Sequence, residues 1–408
     1  MNCFRIVCLV LLVSLQVVAE DWTRFRGPNG SGSSDAVLPA QWTDEDYRWV
    51  VDLPGIGHSS PVIWGTQLFV QSADPEAGTQ YILSLDTETG QTLWKKEIAS
   101  KPYHIHARNS FASCTPTVDA DAVYYAWATP DQIHLTALTH AGELLWSRDD
   151  LGPYASQHGF GSSPMLVDNL VILPNLQMPT NERGKETSAV WAFNRTNGEI
   201  VWTTPRTSDK ASYSVPSLRT TSEGKRELVL CSTVHGMFGL DVATGRETWA
   251  VKDAFKMRTV SSPVLVGDTV FGSTGSGAGG NYVAAIDMPN AAVKYRVTQQ
   301  APYVPTPVAR GNLVFLWYDK GVVTCIDADT GERHWRERVG GNYSGSPVCA
   351  GDKVYCIAED GEVVVLAAST EFKVLGRTKL GEDSRSTPAI ADGKMYLRTY
   401  SKLFCLGD

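Results

Sequence analysis

The sequence predicts an all-β fold, an eight-bladed β-propeller of four-stranded antiparallel blades whose ring is closed by an N-terminal strand completing the C-terminal blade. Eight times a small or polar residue runs into a proline that opens an apolar strand, at Pro61, Pro116, Pro164, Pro216, Pro263, Pro307, Pro347 and Pro388. The steps between them are 55, 48, 52, 47, 44, 40 and 41 residues. A period near 40 to 50 built from short strands belongs to propeller blades, because each unit is a small sheet that cannot bury both faces until neighbours stack on it. After six of these prolines the chain reaches a turn and then a tryptophan or tyrosine. The ends supply the third observation: the last unit stops a strand short at Leu403–Gly407, while an orphan strand stands at Tyr47–Leu53.

In chain order, residues 1–19 read as an export signal. Arg5 supplies a positive flank, Ile6 to Val18 an apolar core and Val17-Val18-Ala19 a small-residue cleavage site. The apolar run is too short to span a bilayer and no second long one follows. The mature chain is therefore expected to be exported, periplasmic or secreted, and not an integral membrane protein. Position 20 is Glu, so a lipid-anchoring cysteine is missing at that point. Residues 20–46 form a lead-in and 47–408 a single propeller domain, expected to be monomeric, although length alone suggests two or three domains.

The first blade shows the pattern in full. Pro61-Val62-Ile63-Trp64, a Gly65-Thr66 turn and Gln67-Leu68-Phe69-Val70 are two strands with alternating apolar residues; Tyr81 to Asp86 is a third, Thr89-Gly90 a turn, and Leu93-Trp94 begins a fourth. The ending recurs at Asn197-Gly198 with Trp202, Thr244-Gly245 with Trp249 and Thr330-Gly331 with Trp335, and Gly142 with Trp146 fits too. In the fifth unit Tyr295 takes the tryptophan's place and in the seventh Leu375, so these two units are degenerate. Trp49 lies 12 residues before Pro61, as Tyr295 lies before Pro307 and Trp335 before Pro347, which puts the orphan strand in phase as an outer fourth strand. Closing the ring this way leaves no long open edge.

Six cysteines remain after the signal, Cys114, Cys231, Cys325, Cys349, Cys356 and Cys405. An oxidising compartment permits disulfides without demanding them. Cys325 and Cys405 stand where other blades have small buried residues, and Cys349 and Cys356 sit diagonally on facing strands, so either free thiols or a bridge is open. With 36 basic and 44 acidic residues and a net charge of −8, the chain offers no basic cluster interleaved with aromatics, and no nucleic-acid partner is expected. Walker, Gly-x-Ser-x-Gly, His-Glu-x-x-His and Cys-x-x-Cys motifs are missing. The run Gly275 to Gly280 has no helix behind it and reads as a flexible loop.

The segments Gly236 to Trp249 and Gly321 to Trp335 resemble the repeat of pyrroloquinoline-quinone (PQQ) propellers. The opening Trp22-Thr23-Arg24-Phe25-Arg26-Gly27-Pro28 to Gly32 is similar to the lead-in of exported PQQ-binding-like β-propeller repeat proteins. The resemblance covers nearly the whole mature chain and is specific for fold, since turn and tryptophan dock blades together and touch no cofactor. It implies that the tryptophan fills the space between blades and that the Asp before each Thr-Gly turn caps it. In the family's dehydrogenases a quinone and a calcium ion lie over the central channel with an aspartate as base, and many alcohol-oxidising members bridge two adjacent cysteines. This chain has no Cys-Cys pair, lacks the long insertions of those enzymes and offers no matching Glu-Asn-Asp set. No cofactor is expected, PQQ with calcium being the alternative.

Strand parity places the residues ahead of each anchor proline around one mouth of the channel. The candidate ligand-binding residues are His58, Asn109, His158, Tyr213, Arg258, Tyr303, Asn342 and Arg385, with His235, Asp319, Lys320, Glu359 and Tyr400 added from the second loops. This face is also elaborated, by the 22-residue step from Trp94 to Pro116 with Tyr103 to Asn109 inside it and by the loop from 174 to 187. His104 and His106 make the beginning of a metal site but only two ligands. Arg258 and Arg385 read either as a carboxylate clamp or as partners of the nearby Asp253 and Asp383.

Three functions stay open: a non-catalytic exported propeller that binds a protein or glycan partner at this mouth, a PQQ-dependent alcohol or sugar dehydrogenase with a mouth carboxylate such as Asp383 as base, and an outer-membrane protein assembly scaffold.

Overall fold

The computed structural model describes residues 21–179 and 188–407; the export signal read at 1–19 lies outside the described residues. Eight sheets follow one another, each with a short inner strand directly after its anchor proline. The first comprises Val62–Trp64, Gln67–Ala73, Gln80–Asp86 and Thr92–Ile98. In the eighth, Ala389–Ala391, Lys394–Arg398 and Lys402–Leu406 come from the C-terminal end and Tyr47–Asp52 from the other, with Trp49 opposite Cys405. The ring is closed as the 12-residue phase predicts.

Burial departs from simple alternation. Ala122–Ala128 is buried at every position and Thr92–Ile98 at none. Second and third strands lie between two neighbouring blades and are apolar on both faces, whereas outer strands meet water.

The repeat's turn and aromatic dock one blade on the next. Trp49 Nε1 donates to Thr87 O at 3.0 Å, Trp94 to His140 O at 2.7 Å, Trp146 to Arg195 O at 2.8 Å and Trp202 to Val242 O at 3.0 Å. Each acceptor opens the turn of the following blade, and the indole lies flat on that turn's glycine. A Cβ on Gly90 would come within 2.7 Å of Trp49 and one on Gly245 within 2.4 Å of Trp202. Because these glycines also have φ near +70°, both the turn and the approach require Gly. Asp86 Oδ1 accepts from the Thr89 amide and hydroxyl, both at 2.8 Å, which caps the turn.

The degenerate units keep this function by other means. Tyr295 donates its hydroxyl to Ala328 O at 2.6 Å and covers Gly331. Beside Leu375 the lead-in supplies the bulk: Ala40 to Trp42 lies along the outer strand Val374–Lys379, with Gln41 Nε2 donating to Leu375 O at 3.0 Å and Trp42 only 7% exposed.

Around the channel, the residues that precede the prolines hold one another in a ring. The amide of Ser60 donates to Thr115 Oγ1 (3.1 Å), Thr115 to Ser163 Oγ (2.9 Å), Val215 to Ser262 Oγ (3.0 Å) and Ser262 to Thr306 Oγ1 (3.1 Å). Thr306 donates to Ser346 Oγ (3.0 Å), Ser346 to Thr387 Oγ1 (2.9 Å) and Thr387 back to Ser60 Oγ (3.3 Å). The eighth step fails because blade four carries Val215, which has no hydroxyl to receive the Ser163 amide.

The lead-in plugs one end of the channel. Trp22 pairs with Ile63, Thr23 O accepts from the Val118 amide, and Ser33–Ser34 adds a parallel strand to Val348–Ala350. Arg26, with no measurable exposure, donates to the carbonyls of Gly30, Ser31, Thr306, Pro307 and Pro347. Arg24 reaches Pro216 O at 2.6 Å.

All six cysteines named above are free and buried; Cys349 stands opposite Val354 and Cys356 opposite Val364. The Cys349–Cys356 bridge left open by the sequence is not formed, because the register holds the two diagonally apart.

Candidate functional site

At the other end of the channel lies a cavity of about 880 Å³, a cup rather than a pore. Its floor includes Phe25 of the plug, its lower wall includes the proline-preceding ring from Ser60 to Thr387, and its upper wall and rim are loops. All eight candidates ahead of the anchor prolines line it: His58, Asn109, His158, Tyr213, Arg258, Tyr303, Asn342 and Arg385. His235 does not. The tight turn that carries it in blade four directs the ring outward, where Nε2 meets Thr207 O at 3.1 Å and the imidazole packs edge-on to Phe238.

Of the other loop residues, Asp319, Lys320 and Glu359 line the cup and Tyr400 packs at a tilt against His58, with ring centres 5.1 Å apart. Asp383 is exposed and is not among the lining residues, so the base position considered for it is not supported. The long step before blade two folds over the mouth: Tyr103 donates to Ala128 O at 2.7 Å, Asn109 Nδ2 to His158 O at 2.5 Å, and His106 packs on His158 at 4.5 Å. His104 stays outside the cup, and no group of three or more His, Cys, Asp or Glu suited to a metal occurs among the described residues. The loop from 174 to 187 lies in part outside the described residues.

Several contributions escaped sequence reasoning, Lys210 and Ser344 among them. Phe25 sits in the lead-in, and Gln157 lies one residue from a named histidine. Another is Gly275 to Gly277, read as a flexible loop, which forms part of the wall. A Cβ on Gly275 would meet Asn281 Oδ1 at 2.3 Å, and that same oxygen accepts from the Ser276 amide at 2.9 Å, so the loop is held rather than loose.

The cup is electropositive in an acidic chain. Arg108, Lys210, Arg258, Lys320 and Arg385 line it, against the carboxylates Asp319 and Glu359. Both acids are engaged. Asp319 accepts from the amides of Tyr303 (2.7 Å) and Val304 (3.1 Å), and Glu359 from Ser344 Oγ (2.5 Å) and Arg385 Nη2 (3.4 Å). Burial nevertheless raises the Asp319 carboxyl above its ordinary value.

The local pairings open to Arg258 and Arg385 are not the ones formed. Asp253 faces Arg296 at 3.9 Å, Arg385 faces Glu359, and Arg258, 8% exposed, meets Gln157 Oε1 at 3.2 Å. Desolvation, then Arg398 and Arg385, push His58 down to about 3; desolvation, then Arg258, His106 and Arg108, push His158 down to about 4. Both imidazoles are neutral at pH 7, and the positive charge belongs to Arg and Lys.

A family profile described as the outer membrane protein assembly factor BamB matches residues 39–177, 157–319 and 300–406. No curated protein sequence matches the chain. Among solved structures, BamB from Moraxella catarrhalis is similar with a TM-score of 0.66 at 14% identity, covering 91% of this chain and 100% of that one. A europium-containing methanol dehydrogenase gives 0.68 at 13%, covering 94% and 90%. The quinohemoprotein alcohol dehydrogenase from Comamonas testosteroni gives 0.68 at 11%, covering 95% and 80%. At these identities the likeness establishes the fold.

Proposed function

We propose, for a chain that belongs to the PQQ-type β-propeller family of the outer membrane protein assembly factor BamB, an exported, non-catalytic binding protein whose cup receives acidic groups of a ligand or partner. One observation carries this reading: five cationic side chains line the cup against two carboxylates that are already hydrogen-bonded, in a chain of net charge −8. Low-dielectric walls concentrate such a field and draw in anions. A floor closed by the lead-in and walls held by bonded loops suit a preformed receptor.

The donor set does not fit a calcium-bound quinone. Such a site needs several hard oxygen ligands converging on one metal, and the two carboxylates of the cup are held by amides, a hydroxyl and an arginine. A scaffold role beside a protein partner is compatible with the same cup, the partner then supplying the acidic groups.

Calorimetric titration of the mature protein tests the reading. Poly-glutamate is expected to bind saturably and to weaken with salt, while neutral oligosaccharides give no heat. Heat from neutral glycans alone, or calcium-dependent binding of PQQ, overturns it.

A further inference from the structure

Arg258 and Arg385 occupy two separate places on the wall. Arg258 leads into the inner strand of the fifth blade and Arg385 into that of the eighth, three steps apart in a ring of eight and so nearly across the channel. Their surroundings do not overlap. The charge of Arg258 acts on His158, Tyr213 and Tyr303, whereas that of Arg385 acts on His58.

Each guanidinium carries N–H groups that are out of water and without an acceptor: Nε of Arg258, and Nε and Nη1 of Arg385. A buried donor on a charged group is costly to leave unpaired. The acids of the cup do not answer this need, since Asp319 is held by two amides and Glu359 touches Arg385 through Nη2 alone, at 3.4 Å. A carboxylate is the acceptor that a guanidinium fork fits best.

We propose that the cup binds a ligand bearing two carboxylates, one held at Arg258 and the other at Arg385, with its spacer lying across the channel. This rests on the reading of the cup as an anion receptor and adds valency and reach. One carboxylate cannot serve two poles on opposite walls, whereas two joined by a spacer bind with the second encounter made intramolecular. The chemistry has two sources, a free dicarboxylic acid or paired Asp and Glu side chains on an acidic peptide.

The test is calorimetry on the mature protein with succinate, adipate, suberate and sebacate, the matching monocarboxylates, and peptides carrying two glutamates at increasing separation. Diacids are expected to show an optimum in length and to bind at least about tenfold tighter than monoacids of that length, a difference of about 1.4 kcal/mol. Arg258→Gln and Arg385→Gln should each reduce the best diacid to monoacid affinity. Arg258→Lys, which keeps charge and bulk but loses the fork, should fall between and guards against a misfolded Gln variant. Tighter binding of the peptides identifies a polypeptide source, tighter binding of free diacids a small-molecule source. Equal affinity for mono- and diacids, or diacid binding untouched by both Gln variants, overturns the two-pole proposal and leaves the anion receptor standing. No binding of any acid overturns both.

Discussion

The ring of hydroxyls around the channel makes a quantitative prediction in two directions. Thr306 Oγ1 receives the Ser262 amide at 3.1 Å, and both residues are under 5% exposed. Thr306→Val keeps the shape and removes the acceptor, leaving a buried N–H unpaired at about 1–3 kcal/mol. With an unfolding entropy of roughly 2.1 cal/mol/K per residue, a chain of this length loses about 1 °C of Tm per kcal/mol, so a fall of roughly 1–4 °C is expected. Val215→Thr does the reverse. It supplies the missing eighth hydroxyl where the Ser163 amide has no such partner, and a restored bond is worth about 0.5–1.5 kcal/mol.

Scanning calorimetry of both variants, with Val215→Ala to separate lost packing from gained bonding, decides the matter. The expected order of Tm is Val215→Thr, wild type, then Thr306→Val and Val215→Ala. If Thr306→Val melts with the wild type, or if Val215→Thr falls as far as Val215→Ala, the ring does not hold the blades and the reasoning is wrong.

Three further outcomes follow from the same geometry. His58 is held at about 3 against an ordinary 6.5, so the unfolded chain takes the proton first; the stability from keeping it neutral is complete above pH 6.5 and is lost as pH falls toward 3. Urea midpoints of His58→Phe should therefore lose less between pH 6.5 and 4 than those of the wild type. Trp42→Ala uncovers the outer edge of blade seven and removes a buried indole, costing about 3–5 kcal/mol and promoting aggregation on mild heating, read by light scattering. Arg26→Ala leaves the carbonyls of Pro307 and Pro347 without their 2.6 and 2.7 Å donors, and a loss of about 3–5 kcal/mol is expected in chemical denaturation.

The parts legible in the sequence are those that repeat. Anchor prolines, turn glycines and docking tryptophans recur because every blade faces the same packing problem, and the strand at Tyr47 betrayed itself by keeping the phase. Most of the cup was also legible, since position ahead of a proline fixes position on the mouth. What escaped was set once rather than eight times. The acceptors of Arg26 on Pro307 and Pro347 lie 281 and 321 residues away, and no local pattern points to them. His235 stands in a loop on the correct face, but its turn is too tight to reach the channel and its ring settles on Phe238. Arg385 stands two residues after Asp383, yet it meets Glu359 of the preceding blade, a neighbour that only the packing of blades brings near.

The buried arginines find their partners in different ways. At the floor, Arg26 donates through Nε, Nη1 and Nη2 to five carbonyls. At the seam between blades eight and one, Arg398 leaves its Nε over but places Nη1 on the carbonyls of Ser59 and Gln71, at 2.8 and 2.5 Å. Backbone carbonyls thus answer much of these two guanidinium groups, while Arg24 and Arg206, away from the wall, keep buried N–H groups without an acceptor. The wall arginines meet side chains instead: Arg258 meets Gln157 Oε1 at 3.2 Å and the Tyr303 hydroxyl, and Arg385 meets Glu359 at 3.4 Å. On the two-carboxylate proposal, the acceptors that complete these two groups arrive with the ligand. The plug forces the direction of arrival. With residues 22–34 closing one end, whatever brings those acceptors enters past the rim formed by Arg108, Lys210 and Lys320, and meets positive charge before it meets the wall.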